Sequence, residues 1–187
     1  MQRTLDAAVE QFVETLITQQ PEAIRCSINT SEFNQQIEVA RSIWGYSAPS
    51  GPFWQDVAKI VHDFLDLSAT RSGTLHLKII SNDACKKFHV DGHPLRLFTT
   101  YYGLDTEWLP EGAVNRSALG TKNEHIIKDV DGIQRLKTGH VAILKGELPH
   151  YTAFSPGTGI VHRSPKITTQ NKQRVILGVW ASCSVDL

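Results

Sequence analysis

The stretch Cys85-Lys86-Lys87-Phe88-His89-Val90-Asp91-Gly92-His93 brings a thiol, two imidazoles and a carboxylate close together in the chain. It follows an apolar run that alternates like a β-strand. Because alternate side chains of a strand share a face, His89, Asp91 and His93 are predicted to point the same way. Imidazoles and a carboxylate on one face are typical of a metal site, and Cys85 is near enough in sequence to add its thiol. The stretch therefore predicts a metal centre beside a strand.

A distant histidine completes the pattern. His162 lies in a second strand-like run, Gly159-Ile160-Val161-His162-Arg163-Ser164-Pro165. His-X-Asp followed much later by histidine is the facial triad of non-haem Fe(II) oxygenases. In a double-stranded β-helix, an early strand carries His-X-Asp and a late strand carries the distal histidine. Three ligands on one side leave positions of a six-coordinate metal open for substrate and dioxygen, so we expect His89, Asp91 and His162 to be the ligands.

The same region also fits a tetrahedral zinc site. Cys85, His89 and His162 would supply three ligands, with Asp91 or His93 as the fourth. A thiol beside Fe(II) and oxygen is open to oxidation, which favours either zinc or a Cys85 that faces away. Cys85 equally suits a small buried apolar position. His93 directly precedes a proline, which keeps it extended and can turn it out of the site.

The chain changes character near residue 72. Apolar residues recur at helical spacing over 4–19, 31–44 and 53–69, with Thr4 as the expected N-cap of the first helix. Strand-like runs then cover 74–80, 95–102, 141–144, 160–162 and 174–180. Turn residues separate these runs, and no long helix lies between them.

This order of elements predicts an α+β protein. We expect a double-stranded β-helix of the cupin-like jelly-roll kind, with the N-terminal helices packed on the sheet. The chain of 187 residues is predicted to be a single domain. Residues 1–72 form its mostly helical part, and residues 73–187 form the β-helix core with the metal site.

Composition excludes some classes of function and favours one compartment. Lys plus Arg and Asp plus Glu each number 19, so no global field draws the chain to nucleic acid or anionic lipid. No run approaches the roughly 18 apolar residues of a membrane span, and no secretory signal is visible. Three widely spaced cysteines suit a reducing environment and not a disulfide scaffold. We therefore expect a cytoplasmic protein that binds neither nucleic acid nor membranes.

Polar residues on later strands are candidates for binding other groups at the site. Arg174 opens the last strand, twelve residues after His162. In 2-oxoglutarate oxygenases an arginine about that far beyond the distal histidine forks onto the cosubstrate carboxylate. An arginine facing solvent at the strand end is the alternative. Arg96, Thr100 and Tyr102 alternate along one strand, so they either line the pocket or form a mixed outer face.

Five segments together resemble a known bacterial family, domain of unknown function 1826. They are Phe88-His89-Val90-Asp91, Arg96-Leu97-Phe98-Thr99-Thr100-Tyr101, Gly103 with Thr106-Glu107-Trp108-Leu109, Leu144-Lys145-Gly146, and His162-Arg163-Ser164-Pro165. The resemblance covers roughly residues 30–183. It implies a compact bacterial protein whose genes lie near zinc-homeostasis genes, and hence a metallochaperone GTPase as partner. More distantly, the layout looks like the phytanoyl-dioxygenase branch of the 2-oxoglutarate oxygenases, which implies Fe(II) and 2-oxoglutarate.

Three functional hypotheses follow. In the first, the protein is a mononuclear Fe(II)/2-oxoglutarate-dependent dioxygenase that oxidises a small molecule or a protein side chain. In the second, it is a zinc-binding protein of bacterial zinc homeostasis without oxygenase activity. In the third, it is a metal-free β module that binds partners. Hydrolase and phosphate-binding chemistry are not supported, because the nucleophile-elbow, dinucleotide and Walker patterns are absent. His140 and His150 fit surface positions better than ligand positions, and Glu107 fits the rim of the pocket.

Overall fold

The structure, a computed structural model, describes residues 1–44, 50–82, 85–147, 157–169 and 172–182. The helices are α1 (Ala7–Gln19), α2 (Phe33–Trp44), α3 (Gly51–Leu67) and the short α4 (Asn123–Ile126). The strands are β1 (Ile24–Asn29), β2 (Ser72–Ile80), β3 (Leu95–Tyr102), β4 (Glu107–Leu109), β5 (Gln134–Arg135), β6 (Val141–Lys145), β7 (Val161–Arg163) and β8 (Arg174–Ala181). The α+β class is confirmed.

The N-terminal part differs from its prediction in two details. Helix α1 begins after Asp6 and not at Thr4, because the Asp6 carboxylate accepts the Ala8 N–H at 2.8 Å and so caps the first turn. Strand β1 lies between α1 and α2 in a part of the chain predicted to be helical. Ile24 and Ile28 are buried on its core side, a pattern too short to outweigh the helical segments around it.

The strands form two antiparallel sheets. The large sheet has the order β1-β2-β8-β3-β6, and the small sheet has the order β5-β4-β7. Four pairings nest inside one another along the chain: β2 with β8, the His89 segment with β7, β3 with β6, and β4 with β5. From the outermost pair inward, the pairs belong alternately to the large sheet and to the small sheet. Neither sheet closes into a barrel within the described ranges.

The helices cover one face of the large sheet, as predicted. Phe53 of α3 is fully buried at the centre of this layer and contacts the rings of Phe12, Trp44, Trp54 and Tyr101. The sheet side of the same core is Leu75, Leu77, Leu97, Leu177 and Val179. Burial of each such side chain contributes about 1.5–3 kcal/mol. The alternate residues of these strands therefore face away from the helices.

That opposite face of the large sheet forms one side of the cleft in which two of the metal-ligand candidates lie. Lys78 and Ile80 of β2, Arg96 and Phe98 of β3 and Ile176 of β8 line a cleft together with His89 and His162. None of the described helices is both long enough and apolar enough to cross a lipid bilayer.

Candidate metal centre

His89, Asp91 and His162 form a compact group of metal-ligand atoms. One nitrogen or oxygen from each lies within 4.8 Å of the others. The Nε2 atom of His89 is 3.7 Å from one Asp91 carboxylate oxygen, and the Nε2 atom of His162 is 3.6 Å from the other. The two side chains from the His-X-Asp pattern and the distant histidine are thus brought together, with two nitrogens and one carboxylate around a common point.

Backbone carbonyl groups orient both imidazoles. The Nδ1 atom of His89 lies 2.8 Å from the Lys87 carbonyl oxygen, and that of His162 lies 2.9 Å from the Ile160 carbonyl oxygen. A carbonyl accepts only from a protonated nitrogen, so each ring carries its proton on Nδ1 and presents the Nε2 lone pair to the group. The Nε2 atom of His162 is buried and has no hydrogen-bond partner. A buried acceptor without a partner is costly, and a metal ion is the partner that this donor set fits.

The electrostatics keep the group in ligand form. Burial lowers the pKa of His162 to about 4, so its imidazole is neutral at neutral pH. Burial alone would raise the pKa of Asp91, but His89, Arg96 and His162 together hold it well below its usual range. The hydrogen-bonding influence of Asp91 raises the pKa of His89 against the opposing effect of burial. Asp91 is therefore an anion that His89 and Arg96 balance.

The backbone fixes the relative positions of the ligands. His89 and His162 exchange N–H···O bonds of 3.0 and 2.9 Å, which join the His89 segment to β7. The Asp91 carbonyl oxygen accepts the Glu147 N–H at 2.8 Å. Gly146 passes so close that a Cβ there would lie 1.9 Å from the His93 carbonyl oxygen and 2.4 Å from that of Asp91. Only glycine allows this close approach beside the carboxylate ligand.

Cys85 and His93 lie outside the ligand group. Cys85 is exposed, adopts a left-handed conformation with φ 57° and lines the mouth of the cleft. The ring centre of His93 is 6.1 Å from that of Trp180, on the far side of Arg96 along the sheet face. The predicted strand alternation does not extend to His93, because only His89 of this segment makes a β-bridge. His140 is also outside the group, and His150 lies outside the described residues.

Arg174 is buried in a polar network beyond Phe98. Its side chain is 1 % exposed, and its guanidinium donates to the Thr100 hydroxyl at 3.4 Å. Thr100 in turn donates to the Asp105 carboxylate at 2.9 Å. The Arg174 Nε–H and the second Asp105 oxygen have no hydrogen-bond partner. The alternative of a solvent-facing arginine is therefore wrong, and Arg174 is a buried cation with an unused donor.

The two carboxylates near β4 were not recognised as buried charges from the sequence. Burial raises the pKa of Asp105 to about 6, although Thr106, Thr100 and Arg174 oppose the shift. Glu107, on β4, is 6 % exposed and pairs with Arg135 of β5 and with Arg163 of β7. It therefore links the three strands of the small sheet and is not a residue of the pocket rim. Both residues follow a glycine turn, a position where sequence alone favours exposed side chains.

The other predicted pocket residues are placed differently from one another. Arg96 lines the cleft, and its guanidinium lies 3.3 Å from the Asp91 carboxylate. Thr100 is buried in the Arg174 network. Tyr102 is 40 % exposed, because a bulge between Thr100 and Tyr102 interrupts the alternation of β3. Lys78, which the sequence analysis did not single out, also lines the cleft.

Comparisons with known proteins assign a family and no activity. The model of one family, described as a protein of unknown function (DUF1826), matches residues 1–179. No curated protein matched the chain, and no solved structure did so. The matched range contains all three candidate metal ligands as well as Arg174. This chain belongs to the DUF1826 family.

Proposed function

We propose that the protein is a mononuclear metal-dependent oxygenase of the Fe(II)/2-oxoglutarate type that acts in the cytoplasm. The observation that carries the proposal is the buried, unpartnered Nε2 atom of His162, which faces the Asp91 carboxylate and the imidazole of His89. Two nitrogens and one carboxylate on one side of a cleft match the ligand set of non-haem Fe(II) oxygenases. Such a metal, when bound, supplies the redox chemistry of dioxygen activation at its open positions.

The strand pairing supports a double-stranded β-helix. A jelly roll forms when one long antiparallel hairpin is rolled into two facing sheets. The four nested pairings from β2–β8 inward to β4–β5 have this arrangement, with the ligands on the second pair. Strand β1 extends the large sheet at its β2 edge, and the helices pack on one face of that sheet. The proposed fold would place a metal between the sheets, where dioxygen chemistry is screened from bulk water.

Arg174 is the proposed ligand of the cosubstrate carboxylate. Its buried guanidinium has an Nε–H without a partner and a single long bond to Thr100. Phe98 lies between Arg96 and Thr100 on β3, and its ring contacts both guanidinium groups at 5.2 and 5.8 Å. Phe98 lines the cleft and Arg174 does not, so Arg174 would bind a diacid from behind the lining residues. The planar guanidinium group of an arginine can donate two parallel hydrogen bonds to a carboxylate, which the ammonium group of a lysine cannot do.

Zinc handling is the second candidate function, with a metallochaperone GTPase as its proposed partner. A closed structural zinc site needs a fourth protein ligand, and the thiol of Cys85 is outside the 4.8 Å group in this structure. Cys85 nevertheless lines the same cleft as His89 and His162, and this observation favours zinc handling as the second candidate. Co(II) loading separates the two: a thiolate charge-transfer band that disappears in Cys85→Ser would favour zinc, whereas weak absorption unchanged in Cys85→Ser favours the open triad.

Metal analysis of untagged protein, followed by anaerobic Fe(II) titration with and without 2-oxoglutarate, tests the oxygenase. We expect a visible charge-transfer band that requires both components. It should vanish in His162→Ala and persist in His125→Ala, a matched change of an exposed histidine outside the ligand group. Stoichiometric zinc without the band would favour zinc handling, and failure to bind any metal would contradict both functions.

A further inference from the structure

The cleft contains a cation, Lys78, that pairs with no carboxylate of the described residues. Lys78 lies near the end of β2, on the face opposite to the buried Leu77, and lines the cleft with Ile80. Among the residues that the structure describes, no carboxylate forms an ion pair with it. An ammonium group is strongly hydrated, so its half-burial beside apolar side chains costs free energy that a counter-anion would offset.

Other cations surround Lys78. Burial lowers the pKa of Lys78 most, and the positive charges of Arg96 and Arg174 lower it further, whereas the nearby Cys85 thiol group acts in the opposite direction. On the same strand, His76 has a pKa lowered to about 4 by burial and by Lys78, Arg25 and Arg96. Arg25 pairs with His76 in the register of β1 and β2. Arg25 on β1, Lys78 on β2 and Arg96 on β3 therefore place positive charge on the same sheet, whereas His76 is neutral at neutral pH.

The charges already present in the cleft do not balance this face. Asp91 is shared by Arg96 and the two histidine ligands, and Asp105 is the buried acid near Arg174. A divalent ion at the triad would add positive charge, and a dianionic cosubstrate would use the remaining donors of Arg174. Among the described residues, Lys78 would still have no carboxylate partner. Arg96 also has a buried Nε–H without a hydrogen-bond partner, which points to an unfilled acceptor position on this side of the cleft.

The floor beside Lys78 is apolar. Ile80, Phe98 and Ile176 form a small buried cluster that lines the same cleft as Lys78, His89 and His162. A ligand that crosses this floor would place a hydrocarbon portion on the cluster, with its charged end at the ammonium group. Pockets with an apolar lining and few polar anchors fix orientation in this way.

We infer that Lys78, together with the free Nε–H of Arg96, binds the anionic group of the substrate, and that the substrate is a small carboxylate or phosphate with a hydrocarbon portion. That the bound anion is the substrate rests on the proposed oxygenase function. The anion site itself does not depend on a metal. It is distinct from Arg174, which is the proposed cosubstrate ligand.

Binding of simple probes to metal-free protein tests the site. Benzoate and phenyl phosphate share an apolar ring and carry an anionic group, and benzyl alcohol is the uncharged analogue. Binding is followed by NMR titration of the backbone amides, and we expect both anions to shift resonances of β2 and β3. Both anions should bind about tenfold more weakly to Lys78→Met. Lys78→Arg should retain binding. Lys122→Met, the same charge change at an exposed lysine that does not line the cleft, should bind like the parent chain.

The outcomes separate this inference from the function on which it rests. Equal anion binding by Lys78→Met and the parent chain, or equal binding of benzyl alcohol, would overturn the site even if the Fe(II)–2-oxoglutarate band forms. Loss of that band in Lys78→Met would also overturn it, because Lys78 would then bind the cosubstrate. Anion binding at Lys78 in a protein that never forms the band would leave the site standing and contradict the oxygenase.

Discussion

The imidazole rings of His89 and His162 lie 4.6 Å apart, centre to centre, on two segments that exchange a reciprocal pair of backbone hydrogen bonds. The contact between the two imidazole rings and the backbone bonds between the two segments therefore involve the same two residues. Because each Nδ1 is bound to a carbonyl oxygen near its own residue, neither ring can turn its Nε2 away without loss of a hydrogen bond. The ligand geometry is built before any ion binds.

Loss of either histidine should abolish tight metal binding. His162→Ala removes a ligand, and we expect the dissociation constant for Fe(II) or Zn(II), measured by competition with a coloured chelator, to rise beyond the roughly 10–100-fold typical of outer-shell changes. His125→Ala provides the matched control on an exposed helix. Unchanged affinity in His162→Ala would contradict the metal centre.

Gly146→Ala should disturb the metal centre without touching a ligand. The added Cβ would collide with the carbonyl oxygens of Asp91 and His93, so the Asp91 turn must move. Overpacking of this kind costs about 1–3 kcal/mol. We expect lower stability in urea and weaker metal binding than in the parent chain. Gly112→Ala, where nothing lies within 4 Å of the new Cβ, is the control. If both variants behave alike, the close approach does not position Asp91.

Asp105 should make stability fall as pH rises from about 4 to about 7. Burial raises its folded-state pKa to about 6 from 3.8, so the folded state holds this proton more tightly than the unfolded state. The resulting stability is fully present below pH 3.8 and is lost as pH rises through 6. Two pKa units correspond to about 3 kcal/mol. The free energy of unfolding is measured in urea at about pH 4 and about pH 7. Asp105→Asn should lack the decline between them, whereas Asp131→Asn, at an exposed position, should keep it.

Glu107→Ala should loosen the small sheet. Its carboxylate accepts from Arg163 at 2.7 Å and also pairs with Arg135, so the substitution leaves two guanidinium groups on β7 and β5 without it. Both arginines are partly exposed, so we expect a loss of about 2 kcal/mol, less than for a fully buried pair. Glu111→Ala, which breaks an exposed pair with Arg116, should cost less than Glu107→Ala. Equal effects would contradict the structural role of Glu107.

The sequence predicted the regular elements and the ligand group where local pattern and tertiary contacts agree. Val9, Phe12, Val13 and Leu16 show helical spacing and are buried as a stripe. His89, Asp91 and His162 were found because few residue types bind metals and their order along the chain is informative. Strand alternation explained less, because the His89 segment makes one bridge and not a strand, so His93 does not share the face of Asp91.

Features that depend on long-range contacts were not predictable. Strands β4 and β5 have only three and two residues, too few for a period, and they exist because β7 and Glu107 hold them. The bulge that exposes Tyr102 leaves no mark in a run of strand-forming residues. The burial of Asp105 likewise depends on Arg174, which lies in the last strand of the sheet and far away in sequence.

Because a single bridge joins His89 to His162, an ion bound by both residues would hold the His89 segment against β7. The Ser164 N–H also donates to the Cys85 carbonyl oxygen, and Arg163 packs on the Phe88 ring, but few backbone hydrogen bonds resist opening of this seam. An ion held by both imidazoles would crosslink positions far apart in the chain, and closure of so long a loop stabilises the closed form. Hydrogen exchange at the two histidine amides would then slow on metal loading, and the seam itself would report whether the ion is present.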